Sequence, residues 1–577
     1  MSVRETDAAV RLFLGNHFLA AERQMAAHAD ESFYHSLGHA TVLFIKAMMS
    51  FEKTDMERAM DAVRRGCALV EQFRPKNSLA ESFLSFINPS RAQREITDEE
   101  MHAELCYAEL LVIRALLTFF IDETLGGFIK GAFRIRMCYQ SFKECHRMLR
   151  SIPPCHLSAC PSSNLSLRRQ FEAGIRAGFG LFNVMLSAMP TRVSALLQLV
   201  GFSGDRAKST NSQEFQFPNY RTLGCPNSFR SSASMADTLR APLAAMVLIS
   251  YQLFLAHLLD GCPPDLALCS QLLVPLVRQF PNGAVVLFLR ARFHLVNGEL
   301  DRAIQLNNRS IQSQNVYKQF QHICHWELVT VHMVLMHWNR AAWHAKKLLE
   351  ENRWSKCVYT YLLAILINAD RTAQKRQQAV RQLMQKVASL RRRIAGRSIP
   401  MEKFCEQRAN KCLRDDGEMF LPQFEFLYFC NGFTVLDRAP HFVRPLLAHV
   451  DAEWARWRGD ERTPRLDSDA LVETRAMYAF VRGLCMRALG EHEKARHCFM
   501  ATIENESVLF ASGAFVHLLP NAFCELALLQ LGEAEPNLCE TKALLTRALA
   551  FKGYALETRL HFRIHNILER VGRMAPK

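Results

Sequence analysis

No Cys-x-x-Cys pair occurs in this 577-residue chain; its 18 cysteines are scattered singly. Paired-thiolate zinc knuckles and thioredoxin-type redox motifs are excluded on that ground. Also missing are the Gly-x-Ser-x-Gly elbow, the Walker phosphate loop and the dinucleotide fingerprint. Their absence removes the common signatures of serine hydrolases, P-loop enzymes and Rossmann oxidoreductases. Arg4, Glu5, Asp7 and Arg11 stand where a secretory apolar region would lie. The expectation is a chain in the cytosol or nucleus, whose reduced thiols behave as small core hydrophobes. Strand-like alternation is nearly absent as well.

What is present is ordinary for a folded protein: 49% hydrophobic and 22% charged residues. The length is too great for one compact core unless the core grows as a repeat array. The formal charge of +15 permits acidic proteins, phospholipid headgroups or nucleic acid as partners and selects none of them. Stretches such as "HATVLFIKAMMSFE" (39–52) and "EEMHAELCYAELLVIRALLTFF" (99–120) carry apolar residues at three- and four-residue spacing, the mark of helices burying one face. Pro, Gly and Ser clusters at 151–164, 202–232 and 458–468 read as loops.

A bulky residue three places before an alanine recurs as Phe18–Ala21, Met56–Ala59, Leu300–Ala303, Trp338–Ala341 and His492–Ala495. In the last three, Ala291, Val329 and Gly483 lie twelve positions upstream of the alanine. That is tetratricopeptide spacing, in which a small residue on the first helix lets the second approach closely. Gly298 and Gly490 are the predicted turn glycines, and residues 284–317 and 476–509 match best. A further unit near 518–551 uses Ala527, Ala543 and Ala550, with an insertion at "GEAEPN" and Arg547 where the pattern wants a large apolar residue.

The stretch "HEKARH" (492–497) superficially offers a zinc-protease motif. Its histidines are five apart, about 140° round a helix, whereas the motif needs four to bring both imidazoles to one face. His492 is expected in the turn between two helices. Cys145, His146, Cys155, His156 and Cys160 are spaced too irregularly to close a tetrahedron, so Cys145 is expected as a packed thiol. No pattern calls for a metal, a cofactor or a catalytic group.

The sharpest charge feature is 371–401, with nine Lys or Arg, no Asp or Glu and a run at Arg391, Arg392 and Arg393. It reads as a solvated face beside an acidic neighbour, or as a dock for an acidic partner or anionic membrane. Nucleic acid is disfavoured because the stretch has no aromatic residue. Two apolar segments, 241–259 and the 177–202 hairpin bent at Pro190, read as buried helices. For the hairpin, the alternative is insertion into a lipid monolayer.

"FYHSLGHATVLFIKAMMSFEK" (33–53), "EEMHAELCYAELL" (99–111), "FIKGAFRIRMCYQSFKECHRML" (128–149), "IAGRSIPMEKF" (394–404) and "ETRLHFRIH" (557–565) together resemble the tetratricopeptide-repeat protein 39 family, which includes the fungal inclusion-body clearance proteins. "LRAPLAAMVLISYQ" and "NRWSKCVYTYL" look closer to its C-type members, and "IAGRSIPMEKF" to the A and B types. The resemblance implies a non-enzymatic intracellular adaptor working in lipid homeostasis, lipid-droplet-linked inclusion clearance or cilium assembly, and it carries over no site residues.

The expected fold is all-α: a family-specific helical bundle over 1–260, then a tetratricopeptide-like helical-hairpin solenoid over 261–577. Protein partners, acidic or extended, would lie against the first helix of each repeat. By register that face includes Arg290, His294, His332, Arg482 and Met486, each of which could equally be packed or solvated. A peripheral lipid-surface protein is the alternative, and an enzyme the third class.

Overall fold

The computed structural model describes residues 2–50, 52–75, 96–121, 125–151, 162–187, 237–256, 264–372, 375–394, 397–415, 419–459, 468–513 and 515–574. Nearly all regular structure among them is helical. The exception is one two-residue antiparallel ladder, Arg393–Ile394 against Arg397–Ser398. Contacts divide the chain into two compact units, Met1–Gln252 with Ala267–Val286, and Leu253–Leu266 with Leu287–Lys577. Residues 267–286, grouped with the repeats on sequence, thus pack with the first unit.

The first unit is built round the Asp98–Ile121 helix. Its start is a capping box: Thr97 Oγ1 accepts from the Glu100 N–H (3.2 Å), and Glu100 Oε2 accepts from the Thr97 N–H (3.0 Å). Between Met101 and Ile113 nearly every side chain is buried, as expected of a helix covered on several sides. Helices Phe33–Ser50, Lys53–Glu71, Leu125–Ser151 and Ser162–Ser187 supply the cover. Several polar groups that face inward are paired. Tyr34 Oη lies 2.6 Å from His102 Nδ1, and Arg74 Nε donates to Glu104 at 2.6 Å.

In the second unit the repeat pattern appears as packed hairpins. Leu300, Ala303, Asn307 and Ser310 form the buried stripe of Leu300–Gln312, spaced for one helical face. Ala303, Ala341 and Ala495 are fully buried, as are Ala21 and Ala59 in the first unit. Their partners Ala291 and Val329 are buried too. At Gly483 a Cβ would stand 2.8 Å from the Phe499 ring, so the close approach requires glycine there.

One turn joins several of these hairpins. Gly298 and Gly490 have φ +81° and +76°, and the next residue returns a hydrogen bond five positions back, Glu299 N to His294 O (2.8 Å) and Glu491 N to Met486 O (2.9 Å). This is the Schellman geometry that satisfies the orphan carbonyls of a helix end. Asn16 (φ 74°) and Met336 (φ 54°) make the same turn without glycine, through His17 N to Leu12 O and His337 N to His332 O (2.8 Å each).

Three expectations are corrected. His492 opens the His492–Ile503 helix instead of lying in the turn; the turn needs only Gly490 and Glu491. Ala543 and Ala550 are exposed, and the buried face of Leu538–Ala550 is Thr541, Leu545 and Ala548. Thr541 is the fourth residue of its helix, the place held by Ala303, Ala341 and Ala495 elsewhere. Arg547, out of pattern on sequence, lies on the surface and pairs with Glu506 (2.7 Å).

Cys145 is fully buried and its thiol pushed well up by burial; Cys155, His156 and Cys160 lie outside the described residues. Among the described cysteines, all free thiols, only Cys539 is exposed. Ala241–Ser250 continues as a π-helical turn at Tyr251–Leu255 and buries most of its residues. Gly178, Phe179 and Phe182 of the apolar hairpin are buried; its bend and residues 188–202 lie outside the described residues. No described helix is long and apolar enough to cross a membrane.

Candidate partner-binding surface

The sequence-selected residues go to different environments. His332 is 3% exposed and stacks on His344 (5.5 Å between centroids, 11°). Met486 is buried in the second unit's core. Helices Lys318–Val334 and Ser468–Ala488 are covered on more than one side, so repeat register alone does not say which residues reach a groove. His294 is nearly buried, 3.3 Å from Glu299, and burial lowers its pKa. Arg290 is half-buried. Arg391 pairs with Glu406. The Arg392 N–H donates to Glu402 (2.7 Å) while its side chain is exposed, and Arg393 sits in the small ladder opposite Ser398.

Arg482 leads to something larger. Its Nε donates to Asp451 Oδ1 at 3.2 Å, and the same oxygen accepts the Tyr478 hydroxyl at 2.8 Å. Tyr478 stacks on Trp454 (4.7 Å, 10°), which stacks on Trp457 (5.7 Å, 12°). Phe420 meets both indoles edge-on at about 6 Å, and the Arg458 guanidinium stands over Trp454 at 5.9 Å. These are half-buried aromatics on a surface. They can receive an apolar or cationic group face-on.

Beside the stack is a cleft of ≈ 80 Å³, lined among others by Arg371, Arg376, Phe420, Glu453, Arg456 and Trp457. Arg371 and Arg456 both donate to Glu453, at 3.1 Å and 2.6 Å to Oε1. Burial works to raise the Glu453 pKa, but those two hydrogen bonds outweigh it and hold the carboxyl below its usual range. Arg376 donates to the Asn368 carbonyl at 3.0 Å. Burial chiefly lowers the pKa of His449, also in the wall. Two guanidinium groups, Arg371 and Arg456, therefore meet at one carboxylate, and a third, Arg376, lines the same cleft beside flat aromatic surface.

Sequence reasoning found Arg371 and Arg376 as part of the basic run but dismissed aromatics, because the run contains none. The rings come from 420–478, folded against it. The signal that could have located them is "EWARWR" (453–458), with Trp and Arg at three-residue and adjacent spacings on one helix. The described contacts do not join Arg391–Arg393 to this cleft.

Across the sequence, residues 7–489 match the family described as Iml2/Tetratricopeptide repeat protein 39. The chain is 38% identical over all 577 residues to "Tetratricopeptide repeat protein ttc-39B" of Caenorhabditis elegans, covering 93% of that protein. Solved structures with some likeness include an IFIT1 monomeric mutant with m7Gppp-AAAA (TM-score 0.29, 10% identity, 87% of this chain and 99% of that one). Another is the APC/C hetero-tetramer Cut9-Hcn1 (TM-score 0.23, 10% identity, 98% and 96%). At these scores neither carries an argument. The full-length relative and the family match together place the chain: it belongs to the Iml2/Tetratricopeptide repeat protein 39 family.

Proposed function

We propose that the protein is a non-enzymatic adaptor that captures an acidic, extended segment of a partner protein at the Arg371–Trp457 cleft. The observation that carries this reading is the excess of guanidinium groups over carboxylate beside the Trp454–Trp457–Tyr478 stack. An acidic side chain would pair with Arg371 or Arg456, and an apolar neighbour would lie on the indoles. Family membership supports a scaffold role, with lipid homeostasis, lipid-droplet-linked inclusion clearance and cilium assembly as the processes to examine. Insertion of the 177–202 hairpin into a lipid monolayer finds less support, because the described part of it is packed in the first unit.

Proximity labelling of full-length protein, followed by pull-down of the labelled partners, tests the reading. R371E with R456E should abolish capture of acidic partners, while R278E, an exposed site in the first unit, should leave it intact. Capture unchanged in R371E/R456E and also in W454A/W457A would sink the proposal.

A further inference from the structure

The first unit contains a cavity of ≈ 330 Å³ that no sequence signal announced. Phe13, Leu37, Val112, Phe142, Leu181 and Val247 set its character, which is apolar nearly all round. The walls are not slack. A Cβ on Gly38 would stand 2.4 Å from Met25 Sδ, and one on Gly178 would stand 2.1 Å from the Phe142 ring. Glycine lets both side chains close on the helices while the space between them stays open. Dense interiors leave few voids larger than a water. An enclosed apolar void of about 150 Å³ stays dry and takes up benzene; this cavity is half open, so an occupant would also remove apolar wall from water. An occupant would restore the dispersion contacts that this larger wall lacks.

The few polar groups in the wall narrow the choice of occupant. Thr6 Oγ1 donates to Ser2 O (3.0 Å) and Thr41 Oγ1 to Leu37 O (2.8 Å), so both hydroxyl protons are used locally. Glu109 takes Arg240 Nε and Nη2, each at 2.7 Å. The Arg240 side chain is only 6% exposed; its guanidinium also neighbours Tyr34 and Cys106, and its Nη1 is buried without a close hydrogen bond. A buried donor left unsatisfied favours a ligand that brings an acceptor. Further charge is not favoured. Glu109 already balances the guanidinium, and among the described residues these two are the ionisable side chains of the wall. A second carboxylate would be buried without a counter-charge.

We propose that this cavity binds an uncharged amphiphile, with an apolar body against the helices and a single acceptor oxygen received by Arg240 Nη1. The site is independent of the arginine cleft of the second unit, and so is its test. Full-length protein is equilibrated separately with tritiated oleyl alcohol, cholesterol and oleic acid, and free ligand is removed by gel filtration. The protein should retain oleyl alcohol or cholesterol, the one retained telling whether the body is a chain or a ring system. Oleic acid should bind at least about tenfold more weakly.

Ala177→Phe and, separately, Val247→Trp enter the cavity from half-buried positions. Each should weaken retention at least about tenfold while unfolding stays cooperative. Arg240→Met combined with Glu109→Gln removes the donor and its counter-charge together, and should weaken retention of the alcohol about tenfold while the acid stays the weaker ligand. The assignment is overturned by retention of none of the three ligands, or by undiminished retention in folded Ala177→Phe and Val247→Trp proteins. Wild-type protein that holds the acid as tightly as the alcohol, or undiminished retention of the alcohol by the folded Arg240→Met/Glu109→Gln protein, overturns it equally.

Discussion

Gly298 and Gly490 hold the same left-handed backbone in the same turn, yet their surroundings differ. Nothing lies within 4 Å of a Cβ built on Gly490, whereas one on Gly298 would meet the Arg438 carbonyl oxygen at 2.8 Å. Gly490→Ala therefore costs only the conformational penalty, about 1–2 kcal/mol. Gly298→Ala adds an overpacking cost of roughly 1–3 kcal/mol. Urea denaturation of the two variants should rank them in that order, and equal losses would contradict the turn geometry. Both glycines were legible in the sequence. Asn16 and Met336 were not, because packing can hold a non-glycine residue at positive φ when the rest of the hairpin over-determines it. Asn16 is anchored besides by its own amide, which donates to Asn282 O (2.7 Å) and accepts from Ala284 N (2.8 Å).

Pairs of helices carry the buried polar chemistry. In Lys318–Val334 and Trp338–Glu351, His325 Nδ1 lies 2.8 Å from His344 Nδ1. Burial first, then neighbouring imidazole and basic groups, pushes His325 and His332 down to about 4 and His344 to about 3. Unfolded, each would titrate near 6.5. The unfolded chain therefore takes up protons first, so stability is fully present above about pH 6.5 and is lost as pH falls toward 4. Thermal melts from about pH 7 down to pH 5 should show that decline. His344→Phe should flatten the slope while lowering absolute stability, since it strands the His325 nitrogen.

Between Ser468–Ala488, Leu518–Leu531 and Glu557–Met574, fully buried Glu525 receives Arg487 and Arg563 (3.1 Å), with the Tyr428 hydroxyl at 3.0 Å. Glu525→Ala leaves the mostly buried Arg563 guanidinium without its carboxylate and Arg487 with Asp437 alone (3.3 Å), and should cost roughly 3 kcal/mol, readable as a lowered urea midpoint. No sequence pattern announced this network, because its members lie far apart along the chain. The Leu538–Ala550 register could have been read: Asn537 caps the helix by accepting from Glu540 N (3.1 Å), and Asn followed three places later by Glu is a helix-start signature. The alanines at 543 and 550 were followed instead, and both face solvent.

At the scale of the molecule, the charge of +15 is a long-range field, whereas the Arg371–Trp457 cleft is a local contact. The two separate in kinetics. Binding of a captured acidic segment, followed by stopped flow from about 0.05 to 0.5 M salt, should show an association rate that falls steeply and a dissociation rate that changes little. Equal sensitivity of both rates would assign the recognition to ion pairs alone and leave the stacked aromatics without a part in it.

Helical class, hairpin spacing, the alanines at 303, 341 and 495 and the turn glycines followed from the sequence alone. Each of these is a local rule: a period of 3.6 residues, a small side chain where two axes cross, a backbone conformation that glycine adopts without strain. Which faces are buried twice over, where Arg371 meets Trp457, how Glu525 gathers two arginines and why a space stays open beside Arg240 were decided by tertiary structure. Those features depend on residues tens or hundreds of positions apart arriving at one place, and a linear pattern carries no record of that distance.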